Sequence, residues 1–348
     1  MAPHLDNDAA TANRAPAEIK LVTISAANLL NGDKQTQDDL LDACTSLGFF
    51  YLDCRDHPFQ PTMSLVDKVS AMALEFYDLP LASKEQWTKL SFDEVKVVPF
   101  AYKPVGKQEG AVKGKKDGWE GIIMMEAPMA QVPPISPFPG PKVLQDSRSL
   151  IQETQSHLGQ LSRAMVESLS RSLGMAGSRS LTHYHQTDIS APSDLEVLKY
   201  LPYTPGSENV GHIPHTDLGS ISMVFSEVGG LQVFHPIQEE WMFVPPKPGH
   251  AVCNIGDSME FFSGNVLRSS LHRVVPYTQD PGRTKLSIIH FLRPNGDTEF
   301  TGADGQQWKV SDWNTMKHKQ FYERQHRLDI VTRREGQNDF WQEKAVAA

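Results

Sequence analysis

Two histidines and an aspartate fall within the run His212-Ile213-Pro214-His215-Thr216-Asp217. His215 and Asp217 are two residues apart. On an extended strand both side chains leave the same face, so one imidazole and one carboxylate can reach a single ion. Two ligands hold a divalent ion weakly, and His272 is the candidate third. It lies about fifty residues on, in the alternating run Ser269-Ser270-Leu271-His272-Arg273-Val274-Val275, which reads as a strand. The intervening length fits about four strands, enough for a sheet to return beside the first. Two histidines and one carboxylate cover one face of an octahedron and leave three positions for a bidentate co-substrate and O2. That is the ligand set of non-haem Fe(II) oxygenases. Zinc is the rival metal. A zinc hydrolase calls for a nearby general-base glutamate, but no H-E-x-x-H occurs and Glu227 sits at a spacing that does not fit.

A 2-oxoacid that chelates such an ion can carry a second carboxylate, which needs a cation. In Gly282-Arg283-Thr284-Lys285-Leu286-Ser287, the residues Arg283, Lys285 and Ser287 alternate onto one strand face. Lys285 and Ser287 are placed to hold a carboxylate by two hydrogen bonds, one of them charge-assisted. Arg283, nearer the strand end, is the reserve cation. Other polar residues are expected to be structural. His183 and His185, with Asp188 nearby, read as loop histidines and not as a second metal site. His290 alternates away from Lys285 and Ser287. Asn254, Gly256 and Asp257 read as a strand end and turn without chemistry of their own.

These residues need a scaffold. Asp38–Phe50 repeats apolar residues at helical spacing and breaks at Gly48, before the short aromatic strand FFYLD. Residues 62–78 fit an amphipathic helix that ends at Leu79-Pro80. Residues 91–142 read as irregular chain with one or two strands. A single long helix is expected from about Val143 to Met175, carrying Leu144, Ile151, Leu158, Leu161, Met165 and Leu169. After Leu195 come eight short aromatic and β-branched runs punctuated by glycine turns, SMEFFSG among them, and a charged helix near 311–327. The order predicts an α+β fold: a double-stranded β-helix (jelly roll) core with supporting helices. Three parts are expected: a flexible tail over 1–17, a helical and irregular region over 18–142, and over 143–348 the support helix, the jelly roll and the last helix.

The 348 residues, 39% hydrophobic and 22% charged, suffice for a sizeable core. The net charge of −9 argues against nucleic acid or an anionic membrane as the partner. The three cysteines form no C-x-x-C, the N-terminus lacks the apolar run of a secretory signal, and no stretch of roughly 18 apolar residues occurs. A cytoplasmic monomer or weak homodimer acting on a lipophilic small molecule is expected. The substrate pocket is expected from Phe100, Tyr102, Trp119, Ile122, Met124, Met223, Phe225, Phe291 and Arg293.

The residues resemble one family, the isopenicillin N synthase-like oxygenases that use Fe(II) and 2-oxoglutarate. The likeness runs from about Leu195 to Pro294 through P-H-T-D-L-G-S, V-G-G-L-Q-V-F, C-N-I-G-D-S-M-E and S-S-L-H-R-V-V. It extends weakly to the N-terminal region through L-L-D-A-C-T-S-L-G-F-F-Y, F-Y-D-L-P, Lys84 and K-D-G-W-E. The resemblance implies that His215, Asp217 and His272 hold iron. It implies that Lys285 and Ser287 occupy the place of the family's Arg-x-Ser, and that Tyr203 is the tyrosine that helps hold the co-substrate. It further implies Fe(II), 2-oxoglutarate and O2 as cofactors, with ascorbate helpful in vitro, and oxidation of an unactivated C–H bond to give succinate and CO2. An oxidase of the same fold that works without 2-oxoglutarate, or a non-catalytic jelly roll that binds a small ligand, would share much of this sequence pattern.

Overall fold

The computed structural model describes residues 17–55, 60–89, 98–112, 114–127, 139–186, 191–202, 207, 210–276, 282–301 and 305–322. The chain enters through β1 (Thr23–Ser25), α1 (Ala26–Leu30) and α2 (Lys34–Ser46). Both helices start on side-chain caps: Ser25 accepts from the Asn28 amide and Asp33 from the Thr36 amide. Helix α2 stops before Gly48, whose φ is +74°. A Cβ there would lie 1.9 Å from the Arg268 carbonyl oxygen. Gly48→Ala therefore combines a left-handed backbone with a backbone clash, and is expected to cost about 3 kcal/mol, read as a lowered urea midpoint.

The remaining elements are β2 (Phe49–Asp53), α3 (Gln60–Tyr77), α4 (Leu81–Glu85), β3 (Phe100–Lys103), β4 (Trp119–Met125), α5 (Lys142–Asp146), α6 (Arg148–Ser172), β5 (Asp194–Tyr200), β6 (His212–His215), β7 (Ile221–Phe225), β8 (Leu231–His235), β9 (Glu240–Phe243), β10 (His250–Ile255), α7 (Asp257–Phe262), β11 (His272–Val274), β12 (Lys285–Leu292), β13 (Glu299–Thr301), β14 (Gln307–Lys309) and α8 (Val310–Tyr322). Eight strands form one sheet in the order β1-β2-β10-β7-β12-β5-β4-β3, and four form a second, β6-β11-β8-β9. The chain passes back and forth between the two sheets from β5 to β12, which is the jelly-roll arrangement. Strands β1 to β4, all before Lys142, complete the larger sheet.

Alternation along the strands divides the larger sheet into two faces. On one face Met223, Phe225, Val197 and Ile288 join Leu158, Leu161, Met165 and Leu169 of α6 in the main core. Each fully buried side chain of this size contributes roughly 1.5–3 kcal/mol of burial. The other face looks towards the smaller sheet and carries the polar residues. Two buried ion pairs fix the N-terminal part. Lys84 bonds Glu120 at 2.8 Å, where Tyr102 also donates, and Lys103 bonds Asp117. They give Lys84 and the KDGWE segment a structural purpose.

Two expected elements come out differently. The long helix is two, because the chain turns at Ser147 (φ −95°, ψ 6°) between α5 and α6. The SMEFFSG run is helix α7 and not a strand. Gly256 is its extended N-cap, Asp257 and Glu260 stand in its first turn, and Met259 and Phe262, three apart, are buried. The last helix is described to Tyr322. Among the described residues no helix is long and apolar enough to cross a membrane.

Candidate metal centre

His215 ends β6 and His272 begins β11, and the two residues are direct partners in the antiparallel pairing. Their rings lie 4.3 Å apart between centroids. Asp217 follows β6 by two residues, and its Oδ1 stands 3.6 Å from His215 Nε2 and 3.7 Å from His272 Nε2. One ligand atom from each of the three side chains falls within 4.8 Å of the others, the one such His/Cys/Asp/Glu cluster among the described residues.

The atoms turned away from this centre are occupied. His215 Nδ1 donates to the Ile213 carbonyl at 2.7 Å and His272 Nδ1 to the Ser270 carbonyl at 3.1 Å. A carbonyl only accepts, so each Nδ1 carries a proton, and Nε2 is the ring nitrogen each histidine turns to the centre. Asp217 Oδ2 accepts from Asn254 Nδ2 at 2.7 Å and from the Ser222 hydroxyl, leaving Oδ1 free to face inward. Burial, reinforced by the neighbouring His272, lowers the His215 pKa to about 4, so the imidazole is neutral at physiological pH. Burial opposes ionisation of Asp217, but His272, His215 and the hydrogen bonds from Asn254 and Ser222 outweigh it and hold the carboxyl below its ordinary range. Two imidazole nitrogens and one ionised carboxylate, aimed at one point with their outer atoms tied off, fit a divalent ion with N and O preference.

Asn254, read from the sequence as part of a strand end and turn without chemistry, and Ser222, which the sequence does not single out, both bond a candidate ligand. They act through Asp217. Asn254→Ala releases Oδ2 and is expected to weaken Fe(II) binding about tenfold, read by anaerobic titration.

The centre opens into a cavity between the sheets. Its wall includes Trp119, Glu196, Leu198, Tyr200, Val224, Ser226, Lys285, Ser287, Ile289 and Phe291 beside the three candidate ligands. Lys285 is 7% exposed, and its ammonium donates to the Ser226 hydroxyl at 2.7 Å and to the Val228 carbonyl. Among the described residues no carboxylate pairs with it. Burial lowers its pKa to about 7. An unpaired buried ammonium is costly and marks a place for an anion. Ser287 lies on the same strand face.

The other expected pocket residues divide by strand parity. Trp119 and Phe291 line the cavity. Met223, Phe225, Ile122 and Met124 point to the opposite face, into the helix-covered core, because Val224 of β7 and Ser226 just after it take the cavity side. Phe100 and Tyr102 are likewise core, packed edge-on to Phe76. Arg293 is buried but does not line the cavity, and its Nε lies 3.0 Å from Asp194 Oδ2. Arg283 is half exposed and pairs with Glu227 at 3.1 Å, outside the cavity. Tyr203 lies outside the described residues. The tyrosine that the strand does present is Tyr200, paired directly across from Lys285. The alternation Glu196, Leu198, Tyr200 along β5 was the available signal. His185 bonds Ser220 and the Leu181 carbonyl, and His290 faces Ser162 of α6. Asp188 lies outside the described residues.

Comparison with known proteins adds an independent line. Residues 192–294 match the 2OG-Fe(II) oxygenase superfamily, and residues 19–145 match the N-terminal region described for the non-haem dioxygenase in morphine synthesis. The chain is 29% identical to the 2-oxoglutarate-dependent dioxygenase FG08081 of Gibberella zeae, with 89% of this chain and 92% of that protein covered. It is 30% identical to the oxidoreductase vrtI of Penicillium aethiopicum, covering 92% of this chain and 76% of that protein. Among solved structures, a full-length Neurospora crassa protein crystallised in complex with alpha-KG superimposes with a TM-score of 0.70 at 20% identity, over 88% of this chain and 99% of that one.

Proposed function

The chain belongs to the 2-oxoglutarate- and Fe(II)-dependent oxygenases, and from that premise we propose that His215, Asp217 and His272 hold the iron, that Lys285 and Ser287 hold the far carboxylate of 2-oxoglutarate, and that the substrate is a lipophilic small molecule. The enzyme is a dioxygenase whose cofactors are Fe(II), 2-oxoglutarate and O2. The observation that carries the residue assignment is the convergence of two Nε2 atoms and Asp217 Oδ1 at the inner end of a cavity that also holds an unpaired ammonium. When bound, iron and 2-oxoglutarate together supply the oxidation, in which O2 is consumed, the 2-oxoacid is converted to succinate and CO2, and a substrate C–H bond is broken.

The chain's own residues supply aim and enclosure. Lys285 gives a point charge, so its contact with a carboxylate is single and not the paired contact of a guanidinium. The Ser226 hydroxyl and the Val228 carbonyl, which both accept from the ammonium, fix the position of that charge. Leu198, Val224, Ile289 and Phe291 line the space between the two ends with apolar surface. That surface binds an apolar substrate and keeps water from the reacting atoms. Hydroxylation, desaturation and ring formation differ by about an ångström in substrate placement, and all begin from this arrangement.

The test is anaerobic titration with Fe(II) and 2-oxoglutarate, followed by O2 in the presence of a panel of apolar metabolites. Succinate should form in step with loss of one panel member, whose mass rises by one oxygen atom or falls by two hydrogens. Substrate loss without succinate would instead identify a 2-oxoglutarate-independent oxidase.

A further inference from the structure

On β5 two carboxylic side chains, Asp194 and Glu196, alternate onto the inner face of the sheet. One guanidinium serves that pair. Arg293 donates to Asp194 Oδ2 at 3.0 Å, and its guanidinium carbon sits 5.1 Å from the centre of the Phe291 ring. Glu196 is left over. It lines the cavity, and among the described residues its carboxyl takes part in no hydrogen bond and no ion pair. The rest of the wall at its level is apolar: Ile289 is its cross-strand partner on β12, and Val224 is the next strand's residue at the same level. One pair further along stand Phe291 and Ser222, and Ser222 bonds Asp217. Glu196 therefore projects into the cavity one step from the level of the candidate metal ligands. Burial, reinforced by Asp194, pushes its carboxyl well above the usual carboxylate range.

A carboxyl group left without a partner in an apolar wall costs free energy in the empty protein, and a ligand that completes it recovers that cost. We infer that Glu196 is the substrate-recognition residue, and that it accepts a hydrogen bond from a hydroxyl or amine on an otherwise apolar substrate, which fixes the C–H bond presented to the metal centre. The Arg293–Asp194 pair is its support: it keeps the guanidinium engaged with Asp194 and so leaves Glu196 available. A site built around a polar partner rejects a close analogue that lacks the donor far more strongly than an apolar pocket rejects a change of one methylene. This inference rests on the proposed function, since it takes the cavity to be the substrate site.

The experiment uses the full chain loaded with Mn(II) and 2-oxoglutarate, so that no turnover occurs. Isothermal titration compares 2-naphthol, 2-methoxynaphthalene and 2-(aminomethyl)naphthalene as probes. The wild type should bind one or both donor probes at least tenfold more tightly than the ether. Glu196→Leu should bring all three within about twofold. Glu196→Gln, which keeps an accepting oxygen, should retain a preference for the hydroxyl and lose any preference for the amine. A stronger response to 2-naphthol assigns a neutral hydroxyl, and a stronger response to the amine assigns an ammonium. A wild type that binds no probe or shows no preference overturns the inference, and so does a preference unchanged in Glu196→Leu. Binding of 2-oxoglutarate is measured in the same samples. It checks that each variant is folded, and its absence in the wild type would count against the co-substrate assignment instead.

Discussion

Replacing His272 with alanine is expected to remove iron binding and succinate formation together. The substitution leaves one histidine and one carboxylate, a pair that holds a divalent ion weakly. Fe(II) affinity should fall at least about a hundredfold, and the rate of succinate formation by about three orders of magnitude at limiting iron. His272 is the informative choice because it is remote in sequence from the other two candidate ligands and reaches them only through the pairing of β11 with β6. Its backbone bonds to β6 and β8 survive the change, since the paired residues His215 and Val233 remain. The ring packs edge-on to Phe49 at 5.5 Å and beside the His215 ring at 4.3 Å. Folding stability should therefore drop by only about 1 kcal/mol, and the circular dichroism spectrum should match the wild type. Iron-dependent succinate release that persisted in a folded His272→Ala protein would place the metal elsewhere.

The candidate ligands were legible in the sequence because their signal is local. His215 and Asp217 share a strand face by their spacing alone, and His272 stands in an alternating run. Which face of a longer strand turns inward is a different matter. Strand β7 reads Ile-Ser-Met-Val-Phe, and by hydrophobicity Met223 and Phe225 are the tempting pocket residues. They turn instead to α6, and the smaller Val224 and Ser226 line the cavity. A sheet covered by helices on one face and opened by a cavity on the other places its largest apolar residues under the helices. The same parity selects Tyr200 on β5 and Lys285 on β12. The SMEFFSG run misled for a related reason: seven residues with aromatic content suit a strand or two helical turns, and the cap at Gly256 decides between them. Nothing in the sequence pointed Asn254 or Glu196 to the site, although alternation along β5 puts Glu196 on the face of Tyr200. Their importance comes from Asp217 and Arg293, which neighbour them in space and not in sequence.

Lys285 gives the second large effect, and it has a sign. With no anion bound, burial brings its pKa down to about 7. Only the ammonium attracts a carboxylate. Affinity for 2-oxoglutarate should therefore be complete below about pH 7 and fall as pH rises through that value, approaching tenfold per unit. A bound dianion stabilises the ammonium and draws its pKa upward, so at saturating co-substrate the decline shifts to higher pH. The expected result is a KM for 2-oxoglutarate that climbs between pH 6 and 9 while kcat changes little. Lys285→Ala removes a charge-assisted hydrogen bond in a buried site and should raise the Kd for 2-oxoglutarate about a hundredfold at pH 6.5, with Fe(II) affinity unchanged. Lys285→Arg keeps a cation that does not titrate in this range, so it should flatten the pH profile even if the longer side chain costs some affinity. Arg283→Ala is the control. Its guanidinium is exposed and already paired with Glu227, an interaction worth little in water, so its loss should change the Kd by less than about twofold. A pH profile that stayed steep in Lys285→Arg, or a large loss in Arg283→Ala, would move the anion site away from β12.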